Sequence, residues 1–327
     1  MTPVARIAIP LLALAVLGSP LRGQEPSPVP AADDPETVLL TRSDEWARMT
    51  VPVTIDGRGP YAFVVDTGAE RTVIARELAR TLGLDPGRVV TVHSMTEVQP
   101  IQTVVIGALE VGGKLVENIQ APALERRNLG AEGMLGVDSL QKQRVSFDFK
   151  RQKMTVVPSK RLEERWPEGT IVITGRSRFG HLVLVDASVD GQKVWVILDT
   201  GSAITIGNEK LRRQLERKQR LGSTRAVEMV SVTGGRINVD QTTIGRIRIG
   251  SMNIQGMPIA FADVHPFKKL DLLDRPAILL GMDALQLFQR VSVDFANRKV
   301  RMLIPDGAGV HRATGIAGVP VRPRGVS

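Results

Sequence analysis

Two short stretches constrain this chain more than any others. Val64-Val65-Asp66-Thr67-Gly68-Ala69 and Ile197-Leu198-Asp199-Thr200-Gly201-Ser202 are each an apolar, strand-like run ending in Asp-Thr-Gly and a small residue. The two Asp residues lie 133 positions apart (199 − 66). Two copies of one unusual turn imply two similar halves that bring two carboxylates together. Close carboxylates cannot both ionise easily, so one keeps its proton, and such pairs serve acid/base hydrolysis.

Other features recur in the same order. Asp56-Gly57 and Asp190-Gly191 mark turns before the strands that lead to each Asp. Ile106 to Gly112 is echoed by Ile244 to Gly250, Met134 to Asp138 by Leu279 to Asp283, and Arg144 to Phe149 by Arg290 to Phe295. The offset grows from 133 at the Asp-Thr-Gly turns to 146 at the closing strands (290 − 144), so the second half carries insertions. Duplication of a whole domain explains this better than a short solenoid repeat. Alternation predicts strands from Met49, and at 61–65, 89–93, 102–106 and 115–119. Apolar residues four apart predict a short helix over Ala75 to Leu82, stopped by Gly83, and Asn208 is placed to cap a helix through Leu211 and Leu215.

The ends differ in composition. Arg6 followed by the apolar run Ile7 to Leu17 is 11 residues, too short for the roughly 20 needed to span a bilayer. Residues 1–23 are therefore expected to be a removed signal peptide, and the mature protein to be exported, periplasmic or secreted, without stable membrane insertion. Residues 24–45, rich in Pro, Ala and acidic groups, read as a flexible linker. The first lobe is expected over 46–160, a charged connector over 161–170 and the second lobe over 171–305. Residues 306–327, rich in Gly, Pro, Val and Arg, read as a disordered basic tail.

The pattern resembles the aspartic proteases, specifically the retropepsin-like families in their bacterial form with two fused lobes. Three features carry the resemblance: the paired Asp-Thr-Gly-Ala and Asp-Thr-Gly-Ser, the later Met134-Leu135-Gly136 and Leu279-Leu280-Gly281, and the spacings of 70 (136 − 66) and 82 (281 − 199) between them. It covers about residues 46 to 305. The resemblance implies an all-β fold of two closed β-barrel lobes packed as a pseudo-two-fold pair. It implies that Asp66 and Asp199 share a proton and activate a water against a peptide carbonyl. Thr67, Gly68, Ala69, Thr200, Gly201 and Ser202 would shape the turns that hold them. Gly136 and Gly281 would pack under those turns. Val230 to Ile237 fits a flap, with Thr233, Gly234 and Gly235 at its tip over substrate; the matching Val92 to Val98 has no Gly and is expected to be stiffer, or not to close. The only Tyr, Tyr61, is misplaced for a flap role. No metal and no organic cofactor are expected. The implied partner is a polypeptide, met by a monomer whose lobes pair within one chain.

Alternatives have less support. A silent peptide-binding scaffold on the same fold would more naturally lack one Asp, and lobes pairing between chains would be separated by size in solution. Asp138 and Asp283 invite a four-carboxylate metal site, but a helix N-cap is the simpler expectation. The four His residues show no metal-ligand spacing, and no nucleophile elbow or phosphate loop appears. Lys210, Arg212, Arg213, Arg217, Lys218 and Arg220 read as a solvated helix face despite the net charge of +9. At 4% aromatics the chain has little stacking material, so nucleic acid is not expected as a partner. With no Cys, thiol chemistry and disulfides are absent. A Ser hydroxyl after the second Asp-Thr-Gly, where the first has Ala69, is expected to donate to Asp199 and make it the more readily ionised partner.

Overall fold

The runs Phe63-Val64-Val65 and Val196-Ile197-Leu198 have no polar face, as expected of interior strands. The computed structural model describes residues 37–40, 42–43, 48–140, 142–160, 165–178 and 181–305, which all belong to one compact unit. In it Arg58–Val65 lies antiparallel to Met49–Ile55 and parallel to Gly133–Leu135. The pairing continues through Val73–Ala75, Lys114–Leu124 and Val98–Val111, which returns to Met49–Ile55, so six strands close on themselves.

The second lobe repeats the ring. Gln192–Leu198 pairs with His181–Val189 and, in parallel, with Ala277–Leu280. Ile206–Gly207, Met252–Phe261 and Arg236–Ile249 complete it, the last pairing back to His181–Val189. Ile55, Ile106, Leu109 and Leu135 fill one barrel, and Val189, Val196, Ile247 and Ile278 are among those filling the other. The fold is all-β in two closed lobes, as the resemblance implies.

The recurring turns have a physical reason. Asp56 and Gly57 have φ of 48° and 72°, and Asp190 and Gly191 have 44° and 79°, the left-handed pair of a tight hairpin. Asp56 Oδ1 accepts the Ala108 N–H at 2.7 Å, and Asp190 Oδ1 accepts that of Arg246 at 2.7 Å. A Cβ on Gly107 or Gly245 would meet those carboxylates at 2.9 Å, which is why an Ile-Gly pair appears in both halves.

A third sheet joins the lobes. Gln143–Asp148 of the first pairs antiparallel with Arg290–Asp294 of the second, around the pair Ser146 and Ser292. Their hydroxyls lie 2.9 Å apart. Lys153–Pro158, Lys299–Leu303 and Ile171–Thr174 extend the sheet to either side. Thr37–Leu40 adds an outer strand against Lys153–Pro158, and Arg42–Ser43 pairs with Met49 and Thr50. The flexible-linker reading of 24–45 therefore needs correcting at its end. Thr-Val-Leu-Leu is a good strand sequence, and an open sheet edge supplies its backbone partners. The signal-peptide reading of 1–23, the start of the linker and the tail 306–327 fall outside the described residues. No helix among the described residues is long and apolar enough to cross a membrane.

The helices fall close to their expected places. Arg76–Leu82 ends at Gly83 in the left-handed region. Glu209–Arg217 starts at Asn208, whose side chain accepts from the Leu211 N–H at 2.9 Å. On that helix Arg212 pairs with Glu209, Glu216 and Asp240.

Candidate active site

Each interior strand delivers its Asp to the same place. Asp66 follows Arg58–Val65 and Asp199 follows Gln192–Leu198, and both are buried, at 8% and 3% exposure. The Asp66 N–H donates to Leu135 O at 3.0 Å, and the Asp199 N–H to Leu280 O at 3.0 Å. The Met-Leu-Gly and Leu-Leu-Gly elements thus lie directly beside the two turns. Gly136 packs on the backbone of Arg71 and Gly281 on that of Ile204, leaving no room for a Cβ.

The two turns are bound to each other reciprocally. Thr67 Oγ1 donates to Leu198 O at 2.9 Å and accepts the Thr200 N–H at 3.1 Å. Thr200 Oγ1 donates to Val65 O at 2.6 Å and accepts the Thr67 N–H at 3.0 Å. All these groups are buried. Each bond adds about 1 kcal/mol net, and losing one hydroxyl would strand two partners.

Within each turn the Asp folds back on its own main chain. Asp66 Oδ1 accepts from the N–H groups of Gly68 and Ala69, at 2.7 and 2.9 Å. Asp199 Oδ1 accepts from those of Gly201 and Ser202, at 2.9 and 3.2 Å. Each carboxyl then lies against the opposite glycine. A Cβ on Gly68 would sit 2.6 Å from Asp199 Cγ, and one on Gly201 would overlap the carboxyl of Asp66. Glycine is required here because the other lobe's carboxyl fills the space.

Burial, the adjacent Asp66 charge and a hydrogen bond to the Asp66 carboxyl hold Asp199 well above the ordinary carboxyl range, against two backbone N–H donors. The pair is built to carry one proton. The hydroxyl bond expected from Ser202 to Asp199 is not made. Ser202 does not reach Asp199 with its hydroxyl; it donates to Ile204 O at 2.8 Å, a closer acceptor within its own loop.

Asp138 and Asp283 also differ from expectation. The helix Met282–Leu285 is preceded by Gly281, which makes no side-chain cap, and Asp283 lies inside its first turn. Asp283 accepts the Thr205 N–H at 2.9 Å and the Thr205 hydroxyl at 2.7 Å. Asp138 does the same with Thr72, at 3.0 and 2.8 Å. Thr72 and Thr205 also accept the N–H groups of Gly136 and Gly281, at 3.2 and 3.1 Å. These carboxylates brace the loops behind the two turns. No group of three or more metal-ligating side chains occurs among the described residues.

The two hairpins project from the barrels and meet. Pro86–His93 pairs with Val98–Val111, and Arg225–Val230 with Arg236–Ile249. Thr96 Oγ1 donates to Ser231 Oγ at 2.9 Å. Ser231 Oγ lies 2.9 Å from Thr233 Oγ1, which donates to Glu97 Oε1 at 2.8 Å. Gly235 packs against Thr96 and Glu97 with no space for a side chain, and Gly234 has a φ of 94°. Met95 packs against the second lobe's cluster of Val183, Ile197 and Met229. The first hairpin, for all its lack of glycine, reaches across to the second.

Sequence reasoning overlooked Arg48, His181, Thr72 and Thr205. A signal was available, since Arg48 and His181 each stand 18 residues before an Asp (66 − 48 and 199 − 181), and Thr72 and Thr205 each stand six after (72 − 66 and 205 − 199). Comparison with curated proteins returns no match. The family profile described as aspartyl protease matches two regions, residues 51–139 and 185–284, one in each lobe.

Proposed function

The chain belongs to the aspartyl protease family, in its retropepsin-like, two-lobed form, and from that premise we propose that it is an aspartic endopeptidase using Asp66 and Asp199 as one proton-sharing unit. The reading rests on one observation above the rest: the reciprocal Thr67 and Thr200 bonds that hold two buried carboxyls against each other's turns. The ionised carboxylate takes a proton from a water as it attacks a peptide carbonyl. The protonated carboxyl donates to the developing oxyanion. Protonation of the leaving nitrogen then returns the pair to its starting state. The hairpin tips would part to admit an extended chain and close over it.

The substrate class proposed is polypeptide. The protein is proposed to act as a monomer, since both halves of the site lie in one chain. Export is proposed from the N-terminal charged and apolar segment. The test is incubation of the purified mature protein with a diverse peptide mixture, read by mass spectrometry, beside Asp66→Asn. Internal cleavages that vanish in the variant support the reading. Retention of peptides without cleavage by either protein would favour the binding scaffold instead.

A further inference from the structure

Arg48 and His181 occupy the same place in their lobes. Each stands immediately before or at the start of the strand that opens its barrel, Met49–Ile55 or His181–Val189, and each is buried, at 3% and 5% exposure. Each reaches out of its own lobe to the other lobe's Asp-Thr-Gly turn. Arg48 Nη1 donates to Gly201 O at 3.3 Å, and Nη2 donates to Leu129 O. His181 Nδ1 lies 3.3 Å from Thr67 O. A carbonyl only accepts, so Nδ1 carries a proton and the neutral ring's lone pair sits on Nε2. That nitrogen lies 3.9 Å from Glu70 Oε1.

We propose that Arg48 and His181 are matched positioning residues that clamp the two Asp-Thr-Gly turns across the lobe interface, and that the His181 clamp, unlike that of Arg48, is strengthened by taking up a proton. The proposal rests on the proton-sharing role of Asp66 and Asp199. A guanidinium is charged at every working pH, whereas an imidazole is not. In the neutral ring the Nε2 lone pair faces a carboxylate; protonation turns that mismatch into an ion pair with Glu70. The matched position in the second turn is Ala203, so that turn carries no carboxylate in the place of Glu70, and Arg48 contacts the main-chain oxygens of Gly201 and Leu129.

The charged groups around His181 decide when this happens. Burial pushes the imidazole below its ordinary range, and Lys269, which also pairs with Glu70, pushes the same way. The Thr67 carbonyl, Glu70 and Asp66 oppose them. His181 is therefore neutral at pH 7 and charges only in acid. Its coupling to Asp66 is reciprocal, so a proton on His181 favours the singly ionised pair and extends it to lower pH. Beyond Lys269, His265 stacks on His93 of the opposite lobe with ring centroids 4.2 Å apart.

The test is kcat/KM against pH on a cleaved peptide for wild type, His181→Gln and His181→Arg, with melting temperatures. Beside it runs the pH titration of the imidazole NMR signal that disappears in either variant. Gln keeps a neutral donor for Thr67 O but has no titrating site. His181→Gln is expected within about threefold of wild type at pH 7, with its acidic limb moved up by about half a unit. His181→Arg is expected to place that limb at or below the wild-type position. In Asp66→Asn, which removes one charge that favours the imidazolium, the His181 titration is expected to move to lower pH. Superimposable acidic limbs for wild type and a folded His181→Gln overturn the inference. So does a His181 titration that ignores Asp66→Asn, an arm that needs no turnover. If wild type cleaves nothing while His181 still responds to Asp66→Asn, the proposed hydrolysis fails and the clamp stands.

Discussion

Asp66 and Asp199 make the same pair of main-chain bonds, yet their shared surroundings leave room for only one charge. Either carboxyl alone is an ordinary buried acid. Asp66→Asn and Asp199→Asn are each expected to lower kcat by roughly 10²- to 10⁴-fold with little change in melting temperature. The double variant is expected to lose hardly more than either single one, because the two act as a unit. Steady-state peptide turnover checks this, and a single variant with near-native kcat would sink the mechanism. Asp283 offers a prediction about stability. Burial raises its carboxyl to about 6, despite its bonds to Thr205 and Ala284. A raised folded-state pKa favours the folded protein fully below the unfolded value, near 4, and that advantage fades as pH rises through about 6. The change is on the order of 3 kcal/mol. Asp283→Asn cannot titrate, so the melting-temperature gap between wild type and variant should be widest near pH 4 and narrow toward pH 7. A gap that does not depend on pH would refute the assignment.

Among the elements, the two projecting hairpins differ in kind. The second is closed by the Ser231 N–H donating to Gly235 O at 2.9 Å around Gly234 at a φ of 94°, while the first is a shorter turn without glycine in which the Ser94 N–H donates to Glu97 O at 2.9 Å. Their contact runs as a relay of hydroxyls from Thr96 through Ser231 and Thr233 to the Glu97 carboxylate. Such a chain is strongest at the charged end. Thr233→Val keeps the shape and removes the donor. It should raise the amide exchange of residues 94–97 and 231–235 by roughly tenfold, the equivalent of about 1.4 kcal/mol, and leave the barrel strands unchanged. Hydrogen exchange followed by mass spectrometry reads this directly; unaltered protection at both tips would count against the relay. None of this contact was legible in the sequence. Alternation marks 102–106, a part of Val98–Val111, as strand, but does not show that the hairpins meet, because a tip-to-tip contact leaves no local pattern. The short strands Val73–Ala75 and Ile206–Gly207 were invisible for a related reason, since three and two residues cannot display alternation. Asp138 and Asp283 were misread as caps because a carboxylate before a helix looks the same whether it serves the helix or a loop in front of it.

Across the whole molecule, the repeats made two matched halves and the meeting of their carboxylates readable in advance, and the resemblance supplied the barrels. The joining sheet was not, because which strand pairs with which depends on how the lobes dock. That sheet sets three strands of one half beside three of the other, and at the seam Gln143–Asp148 and Arg290–Asp294 pair along five residues. Together with the threonine bonds it should hold the halves without a covalent link. A cleavage site placed at 165–170 and cut in the folded protein is expected to leave one species by size and a single melting transition. Separation into two smaller species would show that the connector does the holding. One chain containing two matched but unequal halves has a further consequence. A site with perfect two-fold symmetry accepts a peptide equally well in either chain direction. Here Glu70 is matched in the other half by Ala203 and His181 by Arg48, and Glu70 contacts both His181 and Lys269. A peptide lying across the axis would meet Glu70, His181 and Lys269 toward one of its ends and Ala203 and Arg48 toward the other, so the cleft would have a polarity and the bound chain a preferred heading.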